Sequence, residues 1–468
     1  MDLTRRQWLG GAIASGVFPE FRATAASGPI TPERFGAVGD GQTNDTAAFA
    51  RMAAFVNRQG WGEISLRPTT YVVGQQTAIR KSTYAYEPAP ILNIIGCSGA
   101  ITIRGNGARL RCADGLRYGT FDPRTGQATQ HPLPYLGSGE LASPYQAMIN
   151  IENCSGPIDI SDLELDGNLA GLLIGGPYGD TGWQIPASGM RFLNNSGSQR
   201  ISRVSTHHHA LDGLYIDSPE GRQSSSYFEN VECDYNARQG CSIVGGPNYQ
   251  FANCGFRHTG KAGLVSAPGA GVDIEAEVRA IRNVRFSGCE FSDNSGPGIL
   301  ADSGDSEGAI FEGCRFIGTT CWSAWPRKPL FRFHSCEFVG SVCNAFGDVD
   351  QSRAAQFHDC QFNDDPTLSP TRRVYDGGFP IADLSDSRNV LFNQCQIKLS
   401  DSHVLPWSVL ALYNDCTMSQ VSQKQAYPRG TYTGTNTIEG NVDLYSSTIL
   451  GVLTVNGQAV PQTPHVGM

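Results

Sequence analysis

Three acidic residues alternate along one short segment of the chain, as Asp273, Glu275 and Glu277. In an extended strand, alternate side chains point to the same side and lie about 7 Å apart. Two carboxyl groups at such a separation can serve as the acid and the base of an inverting glycosidase. Several carboxylates can also hold Ca²⁺, which prefers oxygen ligands. We therefore expect Asp273 and Glu275 to be catalytic, or to bind Ca²⁺ as a cofactor together with Asp302.

Candidate bases and cations lie in the neighbouring segments. Arg238 or Lys261 would remove the C5 proton of a uronate in a β-elimination, and His209 is an alternative base. A cation or a metal ion would stabilise the charge on the uronate carboxylate. His209 ends a run of three histidines, residues 207–209, and consecutive strand residues point to opposite sides. At most some of these three imidazoles can therefore face a substrate.

Aromatic and histidine side chains near these groups are candidates for substrate binding. Aromatic rings present a large apolar face, and sugar rings can stack on such a face. Two of the candidates lie in a loop-like insertion, where they could equally anchor the loop. The predicted substrate-binding residues are Tyr215, Tyr235, His258, Tyr178 and Trp183.

A repeat indicates the elements that position these residues. Eight cysteines are each followed, two residues later, by an aromatic or aliphatic residue, at intervals of 21 to 35 residues. The intervening residue is polar or Gly, which predicts strands with the thiol inside and the polar residue outside. Such coils stack about 4.8 Å apart, so the thiols would form a buried, reduced ladder. The predicted ladder is Cys233, Cys254, Cys289, Cys314, Cys336, Cys360, Cys395 and Cys416, whereas Cys321 and Cys343 lie outside it and could pair.

A second recurrence aligns the strands that carry the acidic residues. Four glycines, Gly213, Gly240, Gly271 and Gly298, each open a short apolar strand. This alignment places Tyr215, Ser242, Asp273 and Leu300 in one outward column. It places Asp217, Val244, Glu275 and Asp302 in a second column, so Asp217 is a further candidate for catalysis.

Composition fits an all-β solenoid. The 468 residues include 55 Gly, only 17% are charged, and the net charge is −9. Many glycines and few charges are typical of many short strands joined by tight turns. The sequence has no basic stripe, which argues against nucleic acid as a partner. After residue 26, no stretch approaches the roughly 20 apolar residues of a membrane span.

The N-terminal residues have the features of an export signal. Residues 4–9, TRRQWL, form a twin-arginine pattern, and a modest apolar stretch and an Ala-Thr-Ala site follow. We expect residues 1–26 to be a twin-arginine signal peptide that the corresponding export machinery recognises. The mature chain would then be periplasmic or secreted. This route carries folded proteins, so the thiols would be reduced during folding.

Residues 33–73 resemble the N-terminal signature of the pectate lyase superfamily, which includes rhamnogalacturonase- and epimerase-like proteins. Thr46–Gln59 is expected to be an amphipathic helix that caps one end of the solenoid. The resemblance implies a single-stranded right-handed parallel β-helix, an all-β fold. We expect residues 30–75 to form a cap and the first coil, residues 76–455 the parallel β-helix, and residues 456–468 a flexible tail.

One strand also resembles a catalytic segment of family 28 glycoside hydrolases. Asp212, with Gly213 and Leu214, matches part of that family's Asn-Thr-Asp-Gly stretch, so Asp212 is a candidate catalytic residue or a turn former. The family's next motif, an Asp-Asp pair, is replaced here by Gln239 and Gly240, and its Gly-His-Gly is missing. The usual polygalacturonase machinery is therefore absent.

These observations predict a polysaccharide-degrading enzyme, with a β-eliminating lyase of a uronate-containing glycan slightly favoured. The enzymatic alternatives are an inverting glycoside hydrolase that uses Asp273, Glu275 and Asp217, and a C5-epimerase that shares the first step of the lyase. A non-catalytic glycan-binding β-helix is the alternative outside catalysis.

Overall fold

The computed structural model describes residues 28–79, 84–129, 140–176, 185–375, 380–384 and 387–463. The predicted signal peptide therefore lies outside the described residues. The described part contains an α-helix, α1 (Thr46–Gln59), and short 3-10 turns at Pro32–Phe35, Leu169–Gly171 and Pro366–Leu368. No helix in these ranges has the length and apolarity that crossing a membrane requires.

Short strands make up most of the remaining structure. The first are β1 (Gly62–Ser65), β2 (Thr70–Val73), β3 (Gln76–Ala78), β4 (Tyr84–Pro88), β5 (Leu92–Ile95), β6 (Ile101–Cys112), β7 (Arg117–Phe121), β8 (Glu140–Ala142), β9 (Ala147–Glu152), β10 (Ile158–Asp166), β11 (Leu173–Gly175), β12 (Ser188–Leu193) and β13 (Gln199–His207). The next are β14 (Asp212–Asp217), β15 (Ser226–Asp234), β16 (Gln239–Ala252), β17 (Gly255–Arg257), β18 (Val272–Ile274), β19 (Ala276–Ser287), β20 (Glu290–Ser292), β21 (Ile299–Ala301), β22 (Gly304–Glu312), β23 (Arg315–Ile317), β24 (Ala324–Pro326), β25 (Arg332–His334) and β26 (Glu337–Val339). The last are β27 (Val342–Cys343), β28 (Gln356–His358), β29 (Gln361–Asn363), β30 (Ala382–Leu384), β31 (Leu391–Asn393), β32 (Gln396–Leu399), β33 (Trp407–Asn414), β34 (Thr417–Gln420), β35 (Pro428–Thr433), β36 (Thr435–Glu439), β37 (Thr448–Ile449), β38 (Val452–Val455) and β39 (Gln458–Val460).

The strands wind into a parallel β-helix in which each coil pairs with the coils before and after it. One coil shows the three faces of the helix: residues 226–229 form the first face, 231–234 the second and 239–244 the third. Left-handed residues mark the two corners between these faces, Asn230 at φ 53° and Tyr235 at φ 52°. A small separate sheet of β3, β4, β7, β8 and β11 is built from insertions in the early coils. The predicted all-β solenoid is confirmed.

Helix α1 covers the apolar end of the solenoid, as predicted. Phe49, Met52 and Val56 on one side of the helix are fully buried in the continuous core. Burying an end face in this way protects core residues that no further coil would cover. Gly60, at φ 75°, ends the helix and donates its backbone N–H to the carbonyl oxygen of Val56.

The cysteine ladder is confirmed for seven of its eight predicted members. Strand pairing places Cys254, Cys289 and Cys314 in one column, and the register continues through Cys336, Cys360, Cys395 and Cys416. Cys233 is the exception and a correction: it aligns with Phe256, two residues further along the strand. The corner residue Asn230 sets the register there, so Val231 lies beside Cys254.

Two columns of aromatic rings flank the thiols. On the second face Phe291 and Phe316 stack at 4.7 Å between ring centroids, and on the first face Phe311 and Phe333 stack at 4.8 Å. The core is therefore a column of small side chains between two columns of large ones, which fills the narrow interior at close packing. This packing positions the outward side chains that alternate with the core residues.

The register predicts how the thiols react. All 14 cysteines are free, and all but Cys321 are buried. Because thiolate attack needs access to the sulfur, we expect the folded protein to expose at most one thiol to Ellman's reagent, and the unfolded protein to expose all 14 without a reductant. A lower count after unfolding would indicate disulfides and would contradict the reduced ladder.

The C-terminal boundary differs from the predicted one. The sequence predicts a flexible tail from residue 456, but strand β39 lies within that segment. It pairs antiparallel with β38, with Leu453 opposite Val460. Residues 464–468 lie outside the described residues. An antiparallel strand at this point interrupts the parallel pairing at the last coil.

Candidate active site

The outward side of the third face carries the residues predicted for the first column. Tyr215, Ser242 and Asp273 are in register on β14, β16 and β18, and Leu300 and Trp325 extend the column. The glycine alignment that predicted this column is therefore correct. Each glycine lies close to the next coil: a Cβ on Gly271 would come 2.5 Å from the carbonyl oxygen of Gly298. The coils at the site can approach this closely because no side chain intervenes.

Asp273 is the most unusual ionisable group of this column. Its side chain is buried, with 5% of the residue exposed, and Oδ2 accepts a hydrogen bond from the Gln239 amide. Oδ1 has no hydrogen-bond partner among the described residues. Burial raises the pKa of Asp273 well above its usual value, and the nearby carboxylates of Glu275 and Asp302 raise the pKa further. A carboxyl group in these surroundings favours its protonated form.

Two further carboxylates lie within electrostatic range of Asp273. Glu275 is half-buried and its Oε1 accepts a hydrogen bond of 2.7 Å from Ser303 Oγ. Asp302 is exposed and follows β21 directly. In this group of one buried carboxyl and two that water can reach, Glu275 and Asp302 thus act electrostatically on Asp273, but among the described residues the three carboxylates do not bring their oxygens within 4.8 Å of one another. The prediction that this group binds Ca²⁺ stays a prediction.

Asp217 does not join this group. The register slips by one residue after Ile216, so Asp217 lies beside Gly245 and not beside Val244. Asp217 instead forms an ion pair with Arg279, and its Oδ1 has no hydrogen-bond partner in the described part of the chain. Burial raises the pKa of Asp217, although the Arg279 guanidinium opposes that shift. The second predicted column is therefore wrong at its first member.

A buried ion pair lies at the start of the third face. Arg238 donates to Asp212 Oδ1 from Nε at 2.7 Å and to Oδ2 from Nη2, and both residues are almost completely buried. The Asp212 charge raises the pKa of Arg238 despite its burial. Arg238 therefore keeps its proton, and its predicted role as the general base is wrong. Asp212, predicted as a catalytic residue or a turn former, is instead fully buried and paired with Arg238.

Ser242 and Gln239 connect the ion pair to Asp273. Ser242 Oγ donates to Asp212 Oδ2 at 3.1 Å and also contacts the Gln239 side chain, which binds Asp273. Neither residue was predicted as part of the site. The signal was present in the alignment, because Gln239 stands in register with Asp212 one coil earlier. The Arg238–Asp212 ion pair, the Ser242 hydroxyl and the Gln239 amide thus form one buried network that ends at the Asp273 carboxyl.

Tyr215 stands in the same column, next to Ser242. Burial raises the pKa of Tyr215 to about 12, and the Glu277 carboxylate adds to the shift. The Arg191 guanidinium lies 5.7 Å from its ring centroid. Tyr215 is therefore a neutral hydroxyl at the edge of the site, consistent with its predicted role in contacting a substrate.

Three predicted residues lie at the corner between the second and third faces. The Tyr235 ring stacks on His258 at 4.6 Å, and His258 Nδ1 lies 2.7 Å from Asp234 Oδ1, which raises the pKa of His258. Lys261 Nζ lies 3.6 Å from Asp293 and donates to Thr320 Oγ1. These groups form a separate cluster beside the corner rather than a part of the Asp273 column.

His209 lies inside the solenoid and not on its surface. The residue is fully buried, and its Nδ1 lies 2.8 Å from the Tyr145 hydroxyl. Burial lowers the pKa of His209 to about 3, so the imidazole stays neutral. The prediction of His209 as a base that contacts substrate is therefore wrong. The predicted binding residues Tyr178 and Trp183 lie outside the described residues.

Comparison with known proteins agrees with this architecture. The model of the family "Right handed beta helix region" matches residues 147–442. No curated protein sequence matches the chain. The match to the family model identifies the β-helix as right-handed, as predicted.

The chain is also similar to solved structures at low sequence identity. The N-terminal fragment of bacteriophage Phi29 gene product 12 is 14% identical with a TM-score of 0.54, covering 92% of this chain and 71% of that one. The A-module of the Azotobacter vinelandii mannuronan C-5 epimerase AlgE6 is 15% identical with a TM-score of 0.42, covering 92% and 100%. The tailspike gp49 of Acinetobacter baumannii bacteriophage Fri1, a capsular polysaccharide depolymerase, is 14% identical with a TM-score of 0.44, covering 94% and 65%.

Proposed function

Because the chain belongs to the right-handed β-helix family, we propose that the outward side of its third face binds a polysaccharide and that Asp273 acts there as the general acid of a glycoside hydrolase. The observation that carries the proposal is the buried Asp273 carboxyl, whose pKa is raised while Glu275 and Asp302 stand nearby. Pairs of carboxyl groups whose surroundings push their pKa values apart are typical of acid–base catalysis on glycosides. Asp217 also has a buried oxygen without a partner, but it forms an ion pair with Arg279, whereas Asp273 forms no salt bridge among the described residues.

Asp273 would supply the proton that the reaction needs. Its Oδ1 has no partner among the described residues but is also buried, so the bound glycan would have to displace the cover of the site before a protonated Oδ1 donates to the glycosidic oxygen. As that proton transfers, the bond between the anomeric carbon and the oxygen breaks, and the leaving sugar departs as an alcohol. Gln239, which donates to Oδ2, would hold the carboxyl plane during this step.

Glu275 would act as the general base. It follows β18 directly, two residues after Asp273, and two residues of extended chain span about 7 Å. That spacing leaves room for a water molecule, which attacks the anomeric carbon from the opposite face while Glu275 takes its proton. The product would therefore have the inverted configuration. Ser303, which donates to Glu275 Oε1, would keep that carboxylate oriented.

The structure gives less support to β-elimination and C5-epimerisation. Both reactions begin with removal of the C5 proton, and both need a base that can lose its own proton. Arg238 is held protonated by Asp212, and His209 is buried inside the core. Lys261 is the one predicted base left, and its ammonium already contacts Asp293 and Thr320. The lyase therefore becomes the second proposal, with Lys261 as its base.

A panel of neutral and acidic glycans tests these proposals. We expect new reducing ends without the ultraviolet absorbance of an unsaturated uronate, and NMR of the first product should show the inverted anomer. Unsaturated ends would establish the lyase instead. A change of sugar configuration without chain cleavage would indicate an epimerase, and binding without any product would indicate a glycan-binding β-helix. Loss of activity in chelator, restored by Ca²⁺, would support the predicted metal role of Asp273, Glu275 and Asp302.

We also propose that the precursor is exported by the twin-arginine route to the periplasm or the medium, so that the enzyme meets extracellular glycan. The supporting feature is the Arg5-Arg6 pair before an apolar stretch. Replacing both arginines with lysine should leave the protein in the cytoplasmic fraction, because receptor recognition depends on the pair. Export of the double variant at the normal level would contradict this route.

A further inference from the structure

A second cluster of ionisable side chains lies on the outward side of the second face. Asp166 and His207 end β10 and β13 in register, one coil apart, and His208 forms the corner that follows. One ligand atom from each of these residues lies within 4.8 Å of the other two. The cluster is separate from the column of Asp273, which stands on the third face.

The ring of His207 is oriented by a carboxylate. Its Nε2 lies 3.1 Å from Glu164 Oε1, so Nε2 carries the proton and donates it. The other ring nitrogen, Nδ1, then presents a lone pair, which accepts a hydrogen bond of 2.9 Å from His208 Nδ1 and lies 3.7 Å from Asp166 Oδ1. A metal ion would take the place of the proton shared by the two Nδ1 atoms. A carboxylate that fixes the tautomer of a histidine whose second nitrogen faces other donors is the usual surrounding of a metal-binding histidine.

The ring of His208 is held in place from its other side. It stacks on the Tyr235 ring at 5.1 Å between centroids, with 19° between the ring planes, and Tyr235 stacks in turn on His258. His208 itself has a left-handed backbone, with φ at 56°. The corner and the ring stack together direct the Nδ1 edge of His208 towards His207.

The Asp166 carboxylate divides its two oxygens between different partners. Oδ2 accepts a hydrogen bond from Arg109 Nη2, whereas Oδ1 accepts the backbone N–H of Asn168 at 2.8 Å. A carboxylate oxygen has a second lone pair, so Oδ1 can still act as a ligand. Arg109 Nε also lies 3.1 Å from Glu164 Oε1. Arg111 Nε lies 3.9 Å from Asp166 Oδ2, so two guanidiniums balance the two carboxylates, and the case for a cation rests on the three converging ligand atoms.

We propose that Asp166, His207 and His208 bind a divalent transition-metal ion such as Zn²⁺, through Asp166 Oδ1 and the two Nδ1 atoms, with water in the fourth position. Tetrahedral Zn²⁺ with bonds of about 2.0–2.1 Å places its ligands about 3.4 Å apart. The two separations from His207 Nδ1, 2.9 and 3.7 Å, fall on either side of this value. Two imidazoles suit Zn²⁺ and similar ions, whereas Ca²⁺ would need more oxygen ligands. The ion would join two consecutive coils, since Asp166 and His207 belong to different coils.

Metal titration of the tag-free full chain tests this site. After dialysis against a chelator, we expect one equivalent of Zn²⁺ to bind in competition with a chromophoric indicator, and Co²⁺ to give the visible absorption of a tetrahedral site. Replacing His207 with alanine should weaken binding by more than about 100-fold, because a direct ligand contributes more than an orienting partner. Replacing Glu164 with glutamine should weaken binding by about 10- to 100-fold, as expected for an orienting partner.

Two matched variants complete the experiment. His208→Asn removes a ligand but suits the left-handed corner, so a folded variant should also lose Zn²⁺. His358→Ala is the control, because His334 and His358 stack at 5.0 Å on consecutive coils without belonging to the metal-ligand group. Its affinity should equal that of the wild type. Absence of stoichiometric binding, or equal affinity in the His207→Ala and His358→Ala variants, would overturn the proposal.

Discussion

Asp273→Asn is expected to lower the rate of glycan cleavage by about 10² to 10⁴-fold, the usual contribution of a positioned general acid. Asparagine has the same shape and can still accept the hydrogen bond of Gln239, but it has no acidic proton to donate. The substrate affinity should change little, since the loss concerns the transition state. Initial rates of the wild type and the variant on the cleaved glycan would measure this effect.

The same variant is expected to be at least as stable as the wild type at neutral pH. The pKa of Asp273 is raised in the folded protein, so its stabilising contribution is present below its unfolded pKa and is lost as the pH rises through the folded pKa. Asparagine does not titrate. The melting temperature of the variant relative to the wild type should therefore rise with pH. A variant that melts well below the wild type at neutral pH would contradict this expectation.

The second large effect concerns the buried ion pair. Arg238→Ala should lower the free energy of unfolding by about 3–5 kcal/mol, because the Asp212 carboxylate would remain buried without its partner. Activity should also fall in the folded fraction, since Ser242 and Gln239 connect this pair to Asp273. Denaturant unfolding followed by fluorescence or circular dichroism would give the difference in stability.

A matched control separates burial from charge. Arg200 forms a similar pair with Glu229, but the two side chains are 62% and 42% exposed. Exposed pairs contribute at most about 1 kcal/mol, so Arg200→Ala should be close to neutral in stability. Equal losses in the Arg200→Ala and Arg238→Ala variants would contradict the view that the buried pair is special. Arg238→Lys should lie between them, because lysine keeps the charge without the two parallel hydrogen bonds.

Much of the fold was predictable because the solenoid repeats. Gly213, Gly240, Gly271 and Gly298 give the register of the third face correctly, since each must let the next coil approach closely. The cysteine ladder failed only at Cys233. The spacing of thiols alone does not show the left-handed corner residues, and these residues fix where each face begins.

The direction of side chains at corners was not predictable from alternation. Residues 207–209 lie across a corner, where His207 points outward, His208 takes a left-handed backbone and His209 enters the core. The slip of register after Ile216 likewise moved Asp217 away from Glu275. Arg238 was misassigned because its partner, Asp212, is 26 residues earlier and only the coil brings them together. Sequence spacing gives a column, but burial and pairing decide which of its members can react.

The protonation state of Asp273 in the folded protein tests the account most directly. The infrared difference spectrum of the wild type minus Asp273→Asn, recorded as a function of pH, isolates the carboxyl band of this residue. We expect the band of a protonated carboxylic acid to persist well above the pH at which an ordinary aspartate ionises, and to disappear together with the activity. A carboxylate band already complete in the ordinary range of aspartate would contradict the role of Asp273 as the acid.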